Sequence, residues 1–168
     1  MAGFSNIVLL SSTNNSAGAS ATVVSNVFDP PNRLMVDVRI VGYSAASTAR
    51  IQFNGDTGTT AYAYTVTENV AAVTTGVAGA AAGWAVATTN QVARSLITFF
   101  IRNVSGQVHG GWWQGSSGSE AAATAPVFVN GGGIWTTTAQ ITRIVLDVGP
   151  GGGTLNAGTS LDVYGIYP

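Results

Sequence analysis

Apolar and polar residues alternate with period two along most of this chain. Over residues 33–41, Leu34, Val36, Val38 and Ile40 fall on one side of an extended backbone, and Met35, Asp37 and Arg39 on the other. Successive side chains of a strand point to opposite faces, so this alternation predicts a strand with one covered face. Residues 48–53 repeat it, with Ala49, Ile51 and Phe53 inward. Residues 61–67 follow, with Tyr62, Tyr64 and Val66 on one face. Asn54-Gly55-Asp56-Thr57-Gly58 between them is a turn signal. The two segments read as a hairpin, or as neighbouring strands joined by a loop.

Further strands are predicted downstream. Residues 95–103 are rich in Leu, Ile and Phe, which predicts a central strand buried on both faces. Residues 108–115 carry Trp112 and Trp113. Residues 126–129 are a short run, and Gly131-Gly132-Gly133 leads into another at 134–138. Residues 141–148 alternate again, a Gly/Pro loop follows at 149–153, and residues 159–166 form the last strand. About eight strands at regular spacing predict an all-β fold, a jelly-roll-like antiparallel β-sandwich.

Two stretches break the pattern. Residues 1–30 are rich in Ser, Thr, Asn, Ala and Gly, and read as an irregular N-terminal arm with at most one edge strand. Residues 69–90 carry no charge and are low in complexity. Gly76, Gly79 and Gly83 argue against a helix over 78–86. This stretch reads as a long loop with Trp84 as its anchor. The predicted organisation is an arm at 1–30 and one sandwich domain at 31–168, with the loop at about 69–90.

Composition narrows the function. Only 8% of the residues are charged, against roughly 25% in an average domain. The six basic residues are all arginine, and the net charge is −1. A nucleic-acid partner calls for a basic cluster, which the sequence lacks. An ordinary monomer uses surface charge to stay apart from its copies, so the uncharged surface implies burial against other protein. There is no cysteine, which excludes disulfides and thiolate metal sites. No apolar run approaches the roughly 18 residues of a membrane helix, and the first ten residues lack the basic start of a signal peptide.

The residues that could carry chemistry are few. Asp56-Thr57-Gly58 spells an aspartic-protease signature, but that chemistry needs two carboxylates sharing a proton. The simpler reading is a turn in which Asp56 bonds its own backbone. Asn54 and Asp56 could contribute oxygens to a divalent cation, which requires several more. His109 is the single histidine and has no cysteine to act with; Ser95 and Ser105 do not stand out in a serine-rich chain. A polar position at a strand edge or subunit contact accounts for it.

Neighbours in a strand face opposite ways, so at most one of Trp112 and Trp113 belongs to the core. The other belongs to an interface, where tryptophan is enriched, or to a sugar platform. Arginine suits desolvated two-pronged contacts with carboxylates. Trp84, Trp112, Trp113, Trp135, Arg33 and Arg39 are therefore the candidate interface residues.

Two segments carry a resemblance. Residues 50–62, Arg50-Ile51-Gln52-Phe53-Asn54-Gly55-Asp56-Thr57-Gly58-Thr59-Thr60-Ala61-Tyr62, resemble the strand-turn-strand of small jelly-roll proteins from the structural modules of tailed bacteriophages. Ile141-Thr142-Arg143-Ile144, followed by Asn156-Ala157-Gly158-Thr159-Ser160-Leu161-Asp162-Val163-Tyr164-Gly165-Ile166, is similar to their C-terminal part. The resemblance implies a homotrimer on the virion surface, as a head decoration (cement) protein or a tail or receptor-binding component. It supplies no catalytic residue and no cofactor. The expectation is a non-enzymatic decoration protein bound to the major capsid protein, which it stabilises, with the arm as contact element. The alternative is a tail protein adhering to host glycans.

Overall fold

The computed structural model describes residues 6–16, 18–44, 48–68, 73–86, 94–118, 127–149 and 153–168, and for 73–81 the backbone alone. Among them there is no helix. The strands are β1 (Asn6–Asn14), β2 (Thr22–Val24), β3 (Arg33–Ile40), β4 (Ala49–Phe53), β5 (Tyr62–Glu68) and β6 (Val73–Ala81). They continue with β7 (Trp84–Ala85), β8 (Arg94–Arg102), β9 (His109–Gly118), β10 (Val127–Trp135), β11 (Ile144–Val148) and β12 (Ser160–Tyr167). An eight-stranded antiparallel sheet runs β1-β12-β3-β8-β9-β10-β5-β6, and a four-stranded one runs β2-β11-β4-β7. The two form a β-sandwich.

The core lies between the sheets. Leu34, Val36 and Val38 of β3, Ile97 and Phe99 of β8, and Leu161 and Val163 of β12 face it from the large sheet. Ala49, Ile51, Phe53, Ile144 and Leu146 face it from the small one. The period-two pattern therefore maps directly onto buried positions. Burying each large side chain contributes about 1.5–3 kcal/mol.

Several segments differ from the sequence expectation. The arm holds more than the one edge strand allowed it: residues 6–14 form an edge strand paired along its length with β12, with a register shift between Leu9 and Ser11, and β2 pairs with β11. The segment read as a loop supplies β6, which pairs with β5, and β7, which pairs with β4. Weak side-chain patterning hid these strands, because small residues leave little periodicity to read.

β4 and β5 do not pair with each other: β4 belongs to the small sheet and β5 to the large one. The turn at 54–61 thus crosses between layers. The Gly-rich run at 131–133 does not divide two strands but lies inside β10. A Cβ at Gly131 would sit 2.1 Å from the Trp113 ring, and one at Gly133 would sit 2.7 Å from Trp84 Nε1. Those two glycines make room for two tryptophans. β8 is central as expected, but it is covered on one face only, and Leu96 is 59% exposed.

Candidate functional site

The polar residues singled out in the sequence hold the sandwich together. Asp56 accepts at Oδ1 from the Gly58 N–H (2.8 Å) and at Oδ2 from the Trp135 indole (2.9 Å). The first bond is the expected turn in which the side chain bonds nearby backbone. Asn54 adopts φ 55°. Its Oδ1 accepts from the Thr142 N–H (2.9 Å) and the Arg143 N–H (3.2 Å), while Nδ2 donates to the Gln140 carbonyl (2.9 Å). The Asn54 oxygen already serves these donors, and among the described residues no cluster of His, Asp and Glu is arranged for a metal.

His109 is fully buried. Its Nδ1 lies 3.2 Å from the Arg102 carbonyl oxygen and its Nε2 2.9 Å from that of Ala139. The ring stacks on Trp135 with centroids 5.3 Å apart. Both nitrogens face backbone oxygens rather than a nucleophile. Asn103, which sequence reasoning passed over, is also fully buried. Its Nδ2 donates to the carbonyls of Pro31 (3.0 Å) and Ile141 (3.1 Å), and its Oδ1 accepts from the Ile141 N–H (2.7 Å). Only a buried amide between two loops explains it, and nothing in the linear sequence signals that.

Three candidate interface tryptophans belong to the core instead. Trp84, Trp113 and Trp135 are at most 1% exposed. Trp84 packs on Phe53 and Trp113, and its indole donates to the Ile134 carbonyl (3.1 Å). Trp113 packs on Phe99, and its indole N–H has no partner among the described residues. These rings fill the space that the β10 glycines leave, so no partner can reach them while the sandwich is closed.

Trp112 is the one that faces outward, half exposed, as the alternation with Trp113 requires. It stacks on Phe100 of β8, with centroids 4.4 Å apart and planes 20° from parallel. Phe100 is opposite Met35, Met35 opposite Tyr164, and Tyr164 opposite Leu9. A row of apolar and aromatic side chains thus crosses five strands of the uncovered face. No family model, curated protein or solved structure matches the chain.

Beside this row lies an open groove of about 1130 Å³, lined by Arg33, Arg102, Phe100, Trp112, Ile134 and Tyr167, among others. Arg33 and Arg102 are directly opposite each other in the β3–β8 register. Both are exposed, and neither has an acidic partner among the described residues. Like charges facing across a strand pair destabilise it. Arg39 is also exposed on this face, opposite Leu96. Arg50, by contrast, is satisfied: it pairs with Asp147 at 2.6 Å inside the small sheet.

A second apolar surface lies at the N-terminal side. Ile7, Val8 and Leu9 of β1 are 58%, 46% and 54% exposed. Consecutive residues point to opposite faces, so this edge strand is apolar on both. Val24 and Val27 add further exposed apolar area in the same stretch of chain.

Proposed function

We propose that this chain is a non-enzymatic virion structural protein, a capsid decoration protein that binds the outer capsid surface and stabilises the shell. The observation that carries the reading is the concentration of exposed apolar side chains on the edge strand β1 and the segment after it, Ile7, Val8, Leu9, Val24 and Val27. A long apolar edge strand offers unpaired backbone and side chains to another chain. A partner protein that covers it removes that surface from water. The sequence resemblance and the scarcity of charge favour the same reading. Three linked copies would hold the shell through high effective concentration, although each contact is modest.

The structure changes how the reading is tested. Deleting the first twenty residues would strip β1 from β12 and expose a new sheet edge. The better variant is Ile7→Ser with Leu9→Ser, which alters outward side chains and leaves the ladder in place. The variant is expected to fold normally by circular dichroism and to lose binding to shells that lack the protein. Full binding by a folded double variant would reject attachment through this edge.

A second reading, adhesion to host-surface glycans as a tail component, is favoured by one specific observation. Trp112 stands half exposed beside an open groove. Aromatic faces of this kind stack on the apolar faces of sugars. Glycan binding that is lost with Trp112→Ala is its expected signature, and absence of glycan binding would dismiss it.

A further inference from the structure

The glycines around Trp112 divide into two kinds. A Cβ at Gly111, which points inward, would lie 2.8 Å from the Trp84 ring, and one at Gly115 would lie 2.1 Å from the Leu96 carbonyl oxygen. Packing forbids any side chain at those positions. Gly110 and Gly132 alternate with them and face outward with Trp112. A Cβ at Gly110 would meet nothing closer than the Gly133 carbonyl oxygen at 3.9 Å, and one at Gly132 nothing closer than the Gly111 carbonyl oxygen at 3.8 Å. Neither has the left-handed φ that would call for glycine.

Glycine inside a strand weakens it, and often marks a place where a ligand or another backbone approaches closely. No contact shorter than 3.8 Å requires a bare floor at Gly110, two residues before Trp112, or at Gly132, directly opposite it. A body lying flat against the indole would require one. Along the same groove stand the facing arginines, Arg33 and Arg102, exposed and without acidic partners among the described residues; Arg102 donates from Nη2 to the neutral side-chain oxygen of Gln107, which leaves its charge unmatched. Guanidinium groups bind planar carboxylates through paired N–H donors. An anion between them would turn a repulsive pair into an attractive site. The groove volume of about 1130 Å³ exceeds the roughly 300–1000 Å³ of small-ligand sites, which leaves room for an oligomer.

We infer that this groove binds a carboxylate-bearing oligosaccharide, with the carboxylate held by Arg33 and Arg102 and a sugar ring laid on Trp112 over the bare backbone at Gly110. The inference rests on the adhesive reading and gives it a ligand class. A ring stacked on tryptophan needs a flat floor, and its carboxylate needs the arginines. A wholly apolar partner would leave both charges unmatched.

The test is binding of the full chain to immobilised uronic-acid and sialic-acid oligosaccharides, each beside its carboxyl-reduced neutral counterpart, with an oligoglutamate peptide as a third probe. Acidic oligosaccharides are expected to bind at least tenfold more tightly than their neutral counterparts. Arg33→Gln with Arg102→Gln is expected to erase that preference, and Trp112→Ala to remove binding altogether. Gly110→Val is expected to block the floor while leaving the sandwich folded by near-ultraviolet circular dichroism. All four positions face outward, so these variants do not disturb the core.

Equal binding of acidic and neutral forms, lost with Trp112→Ala, would overturn the carboxylate assignment while the adhesive reading stands. Binding of oligoglutamate alone would overturn it in favour of an acidic protein segment. No binding to any oligosaccharide would overturn both the inference and the reading beneath it.

Discussion

The phenol oxygen of Tyr62 accepts a hydrogen bond from the Phe53 N–H at 2.9 Å, joining the large sheet to the small one. The same hydroxyl donates to the Asp56 carbonyl at 3.0 Å. A turn that crosses between layers leaves backbone groups with no strand partner, and here one side chain satisfies two of them. Tyr62→Phe keeps the ring and its packing but leaves both groups unpaired. It is expected to cost about 1–3 kcal/mol. Urea unfolding of the two proteins should show a lower midpoint with an unchanged slope.

Alkaline stability follows from two buried tyrosines. Burial raises the pKa of Tyr43 and of Tyr62 well above the ordinary tyrosine range, opposed in each by a backbone hydrogen bond. The folded protein therefore holds these protons at a pH where the unfolded chain has lost them. The stability they contribute is full below about pH 10, the unfolded value, and declines as pH rises above it toward the folded values. Thermal unfolding measured across pH 8 to pH 11 should show a midpoint that falls above about pH 10. Replacing Tyr43 and Tyr62 with Phe should flatten that fall.

The adjacent glycines of β10 predict opposite outcomes. Gly131→Ala places a methyl group 2.1 Å from the Trp113 ring, which is itself packed on Trp84 and Phe99. Overpacking of this kind costs about 1–3 kcal/mol or more. Gly132→Ala points into open space, and removes the strand penalty of glycine, about 0.5–1 kcal/mol. Thermal melts should therefore move down for the first variant and stay level or rise slightly for the second.

The buried amide of Asn103 bridges residues 31 and 141 through three hydrogen bonds. Asn103→Leu is close in size and supplies none of them, which leaves two carbonyls and one N–H unpaired. A loss of about 3 kcal/mol is expected, each orphaned group costing about 1–3 kcal/mol before any relaxation. Hydrogen exchange at the Ile141 amide, slow in the parent, should become fast in the variant.

Much of the sandwich was legible because large apolar residues mark it. The alternation of Leu34, Val36, Val38 and Ile40 named the buried face of β3, and the rule that strand neighbours diverge separated Trp112 from Trp113. What escaped was built from small residues. β6, with its Ala, Gly and Thr, carries too little contrast between faces to announce a strand. The glycines of β10 looked like a break because the tryptophans they accommodate come from other strands. Of the candidate interface residues, Trp112, Arg33 and Arg39 reach the surface, and Trp84, Trp113 and Trp135 lie in the core. The pairing of Arg33 with Arg102 depends on a register between residues 69 apart, which no local pattern encodes.

The proposed attachment to a capsid surface is tested by immunogold electron microscopy of the particle that carries this chain, with an antibody to the chain. Label distributed over the head is expected, diminished when the chain carries Ile7→Ser and Leu9→Ser. Label confined to the tail end would contradict the decoration role and leave the groove at Trp112 as the working surface of the molecule.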